Sequence, residues 1–375
     1  MADNRNFPDI NFVDTDTEKI KESLVQAYEL MTGRTLYPAD PARLFILWVA
    51  DIIAQTLVLI NESAKQNVPR YAEGDYLDSI AEIFKDAQRL GAQVARTTLR
   101  FVISEAQAGV VIIPSGTRVT TADGGVVFAT SEIKRIEVGE TAAEVPSACL
   151  TEGSVGNGFL PGQIATPIDW FPYMQSVSNT TASEGGAESE TDEAFYNRMR
   201  ASMESYSTAG PAGAYEYIAK SVSPLITDAK AISEDAGIVD VRILLQDGEL
   251  PGAEILAQVA AALNDQKARP LTDQVNVMAP EAVSFDIDLT YYIPSPSEAS
   301  ATRIQNEVEG AVEEYKKWQT SKMGRDINPS YLISLLMKTG IKRVEVREPA
   351  HQTVTDGEVA QVETEEIVNG GFEDE

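Results

Sequence analysis

Apolar residues recur at helical spacing through the first ninety positions of the chain. Ile20, Leu24, Ala27, Tyr28 and Met31 mark one face of a helix. Thr15 and Glu18 have capping-box spacing at its start, and Gly33 stops it. Pro38 and Pro41 frame a turn before a strongly apolar helix over 42–67. A third helix is expected over 75–90. Asp75 can cap it, Leu77, Ile80, Ala81 and Phe84 line one face, and Gly91 ends it. Residues 1–16 precede these helices as an irregular arm.

The second helix carries LFILWVADIIAQTLVLI at 44–60, interrupted by Asp51, Gln55 and Thr56. Asp51, Gln55, Glu62 and Gln66 fall near one face. A buried helix with a narrow wet stripe accounts for this better than a membrane span, which would be short and would hold a carboxylate near its middle. The helix is apolar almost all round, more than a bundle of three can cover. Partner helices are therefore expected to complete the bundle. Leu44, Phe45, Leu47, Trp48, Ile52, Ile53, Leu57 and Ile60 are the candidate contact residues, and Trp48 is also expected to be a core residue.

From about residue 94 the period changes. VARTTLRFVIS, GVVIIP, GTRVTTADGGVVFATSE and KRIEV alternate or run in β-branched residues, broken by Gly and Pro. Asp123-Gly124-Gly125 reads as a hairpin tip. Gly153, Gly156, Gly158 and Gly162 mark tight turns, and residues 183–189 (SEGGAES) compose a flexible loop. Helices follow at about 190–206 and after Gly210-Pro211. Beyond 225, strands ITDAKAIS and GIVDVRILLQ flank a turn at Asp235-Ala236-Gly237. A helix is expected at 252–267 and strands at 273–278 and 281–293. A long helix at 298–320 presents Ile304, Val308, Ala311, Val312 and Tyr315 on one side. A short helix at 328–339 and the strand IKRVEVRE close the series.

The expected class is α+β. A helical core-bundle region occupies 1–91, a β-rich domain 92–182, and a Gly-rich loop with a helical segment 183–224. An α+β domain of ferredoxin-like alternation fills 225–350, and an acidic tail 351–375. Residues 352–375 contain no Lys or Arg, and their composition favours a disordered, solvating segment over one that orders on a neighbour.

Charge narrows the partners. Across 375 residues the formal net charge is −28. A field of that sign repels phosphate backbones and anionic membrane surfaces, so neither nucleic acid nor membrane is an expected partner. Chemistry is sparse. Cys149 is the single cysteine and His351 the single histidine, so neither an intrachain disulfide nor a Cys/His zinc cluster can be built. No cofactor or metal site is expected. Glu188, Glu190, Asp192 and Glu193 could in principle supply a carboxylate pair, but a polar loop-borne run reads better as helix capping. The glycines of GSVGNGFLPG lack the context of a phosphate loop, and Asp286 and Asp288 alternate within a strand. Trp170, Phe171 and Tyr173, beside Pro167 and Pro172, either anchor a partner or fill a buried corner. Trp318 is an interface or packing residue.

The ordered set of segments resembles the baseplate J-like family, which includes the Mu-type wedge proteins. The pieces are EGDYLDSIAE with RLGAQVARTTLRF at 73–101, IIPSGTRVTTADGGVVFAT at 112–130, EGSVGNGFLPGQI at 152–164, SVSNTTASEGGAESETDEAFYNRMR at 176–200, and the GIVDVRILLQ to NVMAP series at 237–280. Together they cover roughly 70–345. The Gly-Gly-acidic loop entering an acidic helix that ends in Arg is the most specific piece, carried by Glu190, Asp192, Glu193, Arg198 and Arg200.

The resemblance implies a non-enzymatic structural wedge protein of a contractile tail or injection particle. It would sit in the baseplate of a virion or tail-like particle assembled in the bacterial cytoplasm. Implied partners are further copies of itself, a second wedge protein and a sheath-initiating, lysozyme-like baseplate protein. The wedges would form an inner ring around the central hub, and hub and fibre-attachment proteins are further implied partners. The N-terminal helices would join a mixed bundle, and the C-terminal domains would contact neighbouring wedges. A bistable set of interfaces would shift on triggering, with Gly153, Gly156, Gly158, Gly162, Gly185 and Gly186 as candidate hinges. The competing classes are a polysaccharide-cleaving tail enzyme and a receptor-binding tail protein.

Overall fold

The computed structural model describes residues 8–84, 87–203, 211–233, 237–264, 273–295 and 300–374. They form two compact units, one of Met1–Arg89 with Thr191–Arg200 and one of Leu90–Glu190 with Ala201–Glu375.

The first unit is helical: α1 (Thr17–Thr32), α2 (Pro41–Lys65), α3 (Gly74–Ala81) and α4 (Asp192–Ala201). Asp16, not Thr15, caps α1, its side chain accepting from the Glu18 and Lys19 amides, and Gly33 closes the helix with φ 67°. Asp40 caps α2, with Pro41 in the first turn. α3 stops at Ala81, short of the expected Gly91. Phe84 and Ala87 instead fold back into a small core with Leu77, Ala81, Phe195, Tyr196 and Met199. The arm is tied to α2 and to the segment after it: the Phe12 amide donates to Asn61 Oδ1, the Ile10 amide to Tyr71 Oη, and Lys65 pairs with Asp9 at 3.1 Å.

The second unit holds three sheets and a two-stranded ribbon. β1 (Val94–Ile103), β3 (Arg118–Thr121), β4 (Val127–Thr130), β6 (Ala142–Glu152), β7 (Ile164–Pro167) and β8 (Met174–Asn179) join in the order β7-β3-β4-β6-β1-β8. β2 (Val111–Ile113) and β5 (Lys134–Ile136) form the ribbon. Period-two alternation turns Ala95, Thr97, Leu99, Phe101 and Ile103 inward onto Phe128, Val145 and Ile164. The two terminal strands of the order meet through buried Asn179, whose Oδ1 accepts from the Ile164 amide and whose Nδ2 donates to Leu160 O. This closes the sheet on itself. The expected hairpin tip is present, with Gly124 at φ 72°.

α5 (Ala212–Lys220), β9 (Ile226–Ile232), β10 (Ile238–Leu245), α6 (Ala253–Leu263) and β11 (Gln274–Met278) form a three-stranded sheet with β10 in the middle. β9 pairs antiparallel with β10 and β11 pairs parallel, as a helix crossover allows. β12 (Glu281–Pro294) is the middle strand of a second such sheet, beside β13 (Arg343–Glu348) and β14 (Glu358–Glu373), with α7 (Ala301–Thr320) and α8 (Pro329–Met337) on it. The expected stripe of Ile304, Val308, Ala311, Val312 and Tyr315 is buried in its core. The α+β character agrees with the sequence reading. The ferredoxin-like alternation resolves into two small sheets, not one. Asp235 and Ala236 of the expected turn lie outside the described residues.

Disorder was the wrong expectation for the acidic C-terminal segment. β14 runs parallel to β12, with Glu281 opposite Glu358 and Pro294 opposite Glu373. Val359 and Ala360 are buried, and Val362 and Ile367 pack against the same core. Cations from other elements offset its acids: Lys316 pairs with Glu365 at 2.7 Å and Arg343 with Glu373 at 2.6 Å.

The two small sheets interlock. Buried Asp228 takes Lys220 Nζ on Oδ1 at 3.1 Å and the Met323 amide on Oδ2 at 3.1 Å. Gln361 donates to Gly248 O at 2.7 Å, and a Cβ on Gly248 would meet Thr320 at 2.7 Å. Leu244, Met323 and Val359 fill the joint.

Candidate assembly interface

α2 is the exceptional surface of the first unit. It buries Ala50, Ala54 and Asn61 on one side. Leu44, Phe45, Trp48, Ile52, Ile53 and Ile60 are exposed, and Leu47 and Leu57 are half-buried. Trp48 is 59 % exposed and the neighbouring Leu59 69 %. The expectation of a buried helix therefore fails within the chain: α1 is one helix wide and covers one side. The Phe45 and Trp48 rings stand 5.7 Å apart, centroid to centroid, on the open side. Asp51 pairs with Lys21 of α1 at 3.3 Å, which accounts for a carboxylate at mid-helix. By length and composition α2 could cross a membrane, with a mean hydropathy of 2.0 over its most apolar window.

The acidic-helix motif resolves into structural contacts. Glu190 is buried and its Oε2 accepts from the Leu90 amide at 3.0 Å, while the Glu190 amide donates to Leu90 O at 2.9 Å. Asp192 accepts from the Gly74 amide and from Arg89 Nη2. Burial works against the charge on Arg89, but the hydrogen bonds it donates to Asp78 and Asp192 outweigh that and raise its pKa. Arg198 is buried, donates to Gln88 O and lies over the Phe195 ring. Arg200 lies over Tyr196, and Glu193 is exposed in the first turn of α4. Glu188 accepts from the Ser154 amide and hydroxyl. Among the described residues no group of three or more His, Cys, Asp or Glu side chains is placed to hold a metal ion.

The glycines expected as hinges fall into two groups, some closely packed and some in open turns. A Cβ on Gly156 would stand 2.8 Å from Ala95 Cβ, one on Gly186 2.4 Å from Gly153 O, and one on Gly153 2.4 Å from Glu188 Oε1. Asn157 and Gly186 exchange two hydrogen bonds, and Gly158 and Ser183 are joined through backbone. The two Gly-rich stretches are thus hydrogen-bonded to each other, including the loop expected to be flexible. Gly158, Gly162 and Gly185 have positive φ and serve turns. The aromatic cluster splits. Phe171 is buried against Phe101, whereas Trp170 is 65 % and Tyr173 56 % exposed. No signal in the linear pattern pointed to the Asn179 closure or to the Asp228 joint.

Comparison with known proteins follows this architecture. The closed sheet coincides with a match to the Baseplate J-like protein barrel domain at residues 98–186. The first small sheet matches the Baseplate J-like central domain at 207–279. The second matches the Baseplate J-like protein C-terminal domain at 285–367. Baseplate protein J of Escherichia phage P2 is 27 % identical over 250 residues, covering 64 % of this chain and 78 % of that protein. A chain in the cryo-EM structure of the anti-feeding prophage baseplate is similar at 12 % identity and a TM-score of 0.43, over 92 % of this chain and 90 % of that one. With three successive domains of one family in order along it, the chain belongs to the baseplate J-like family.

Proposed function

We propose that this protein is a structural wedge of a contractile-tail baseplate, and that the open face of α2 is where helices of neighbouring subunits join it. The observation that carries this reading is the spacing of that face. Phe45, Trp48, Ile52, Gln55 and Leu59 repeat at intervals of three and four, the seam a partner helix reads. Ile46, Val49, Ile53, Thr56 and Ile60 form a second seam one position on. A helix with two adjacent seams has room for neighbours on two sides, as in a mixed bundle. The partners we propose are a second copy of this chain, a second wedge protein and the small sheath-initiating baseplate protein.

The structural employment of Glu188, Glu190 and Asp192 favours this reading over a carboxylate-pair enzyme. Co-expression with the second wedge protein tests it. Trp48→Glu with Ile52→Glu should abolish co-purification while the chain remains folded by circular dichroism. Retained co-purification would overturn the proposal.

A further inference from the structure

The end of α7 carries a concave site that the assembly reading leaves unused. Its cavity has a volume of about 400 Å³ and is lined by Trp318, Lys322, Arg325, Asp326, Asn328 and His351. The Arg325 guanidinium lies 4.2 Å from the Trp318 ring centroid, and Trp318 packs in turn against Tyr331, ring centroids 4.2 Å apart and planes tilted by 39°. The wall is rigid. Buried Gln319 donates to Arg325 O and Asp326 O and accepts from the Asn328 amide. Asp326 is itself engaged, accepting from the Val354 amide at 2.9 Å with His351 Nε2 4.0 Å away.

Charge selects the occupant. Two cations, Lys322 and Arg325, line the pocket against one carboxylate, Asp326. Arg325 donates to Ser321 Oγ at 3.2 Å, and neither it nor Lys322 has a carboxylate within ion-pair distance among the described residues. Burial lowers the Arg325 pKa, with Asp228 offsetting part of that. A stacked, fixed guanidinium presents its donors in a planar fork that matches a carboxylate.

We propose that this pocket docks an acidic segment of a neighbouring polypeptide, with one carboxylate on Arg325 and a second near Lys322. The site shares no residue with α2, and the proposal does not rest on that interface. In the full-length Trp48→Phe, Trp170→Phe chain, Trp318 is the remaining tryptophan. A capped hexaglutamate peptide titrated into it should give a saturable change in Trp318 emission, weakened by added salt. Arg325→Gln should weaken binding by about tenfold, the loss expected for a charge-assisted hydrogen-bond pair. Arg325→Lys, which keeps the charge without the fork, should fall between. Absence of saturable binding to the parent protein, equal affinity in a folded Arg325→Gln variant, or equally tight binding of inorganic phosphate would each overturn the proposal.

Discussion

Arg89 and Asp192, 103 residues apart in the chain, meet at 2.6 Å between Nη2 and Oδ1. The pair closes the helical unit, because the Arg89 guanidinium also reaches Asp78 and lies over the Phe195 ring. It is half-sheltered, so its worth is modest. Arg89→Gln and Asp192→Asn should each cost about 1–2 kcal/mol in urea unfolding. Their double variant should cost less than the sum, because both remove one contact. Strict additivity would show that the pair is incidental.

The same unit depends on α4, which the chain reaches only after the closed sheet has been threaded. Phe195→Ala should cost about 3–5 kcal/mol by emptying the small core it shares with Leu77 and Met199. Near-UV circular dichroism and chemical denaturation would read this. Deleting residues 1–91 would strip the cover from Phe195 and Met199, so point substitutions are the cleaner probe of the assembly surface.

The Gly-rich stretches make an opposite pair of predictions. Gly156→Ala and Gly186→Ala place a Cβ into backbone and small side chains and should destabilise the chain by about 1–3 kcal/mol. If these segments were hinges, alanine would leave equilibrium stability nearly unchanged. Thermal melts distinguish the two. Composition could not: glycines that permit close approach and glycines that permit motion are the same letters.

The exposed aromatic loop carries a pH prediction. Asp169 accepts from the Arg118 amide and side chain, and that guanidinium holds its carboxyl at about 2, below the ordinary 3.8. A depressed folded-state pKa gives a contribution present above the unfolded value and lost as pH falls toward the folded one. The environment of Trp170 should therefore stay constant at neutral pH and change between about pH 4 and pH 2. Asp169→Asn should show the altered Trp170 emission already at pH 7. An identical acid titration in the variant would refute the anchoring role.

Sequence pattern carried most of the elements. The α7 stripe, the Asp123-Gly124 hairpin and the long apolar α2 follow from period and punctuation. The acidic C-terminal strand did not, because Lys316, Arg343 and the face of β12 that stabilise it come from distant segments. A composition reading weighs Glu365 and Glu373 without their partners. Likewise the motif acids were visible as a run, but their employment on Leu90, Gly74 and Arg89 depends on contacts about a hundred residues away. Hydrogen exchange tests the strand directly. Amides at 359–368 should be protected at least about tenfold over a random coil, whereas complete exchange within seconds would restore the disordered tail.

The central claim concerns the open face of α2. Cys149 is buried and is the chain's single cysteine, so a cysteine placed at Ile52 reports alone on that face. Ile52→Cys should react readily with a maleimide in the isolated chain and be protected in the assembled baseplate, because partner helices cover the Phe45–Leu59 seam. Equal labelling in the isolated chain and in the assembled particle would contradict the account.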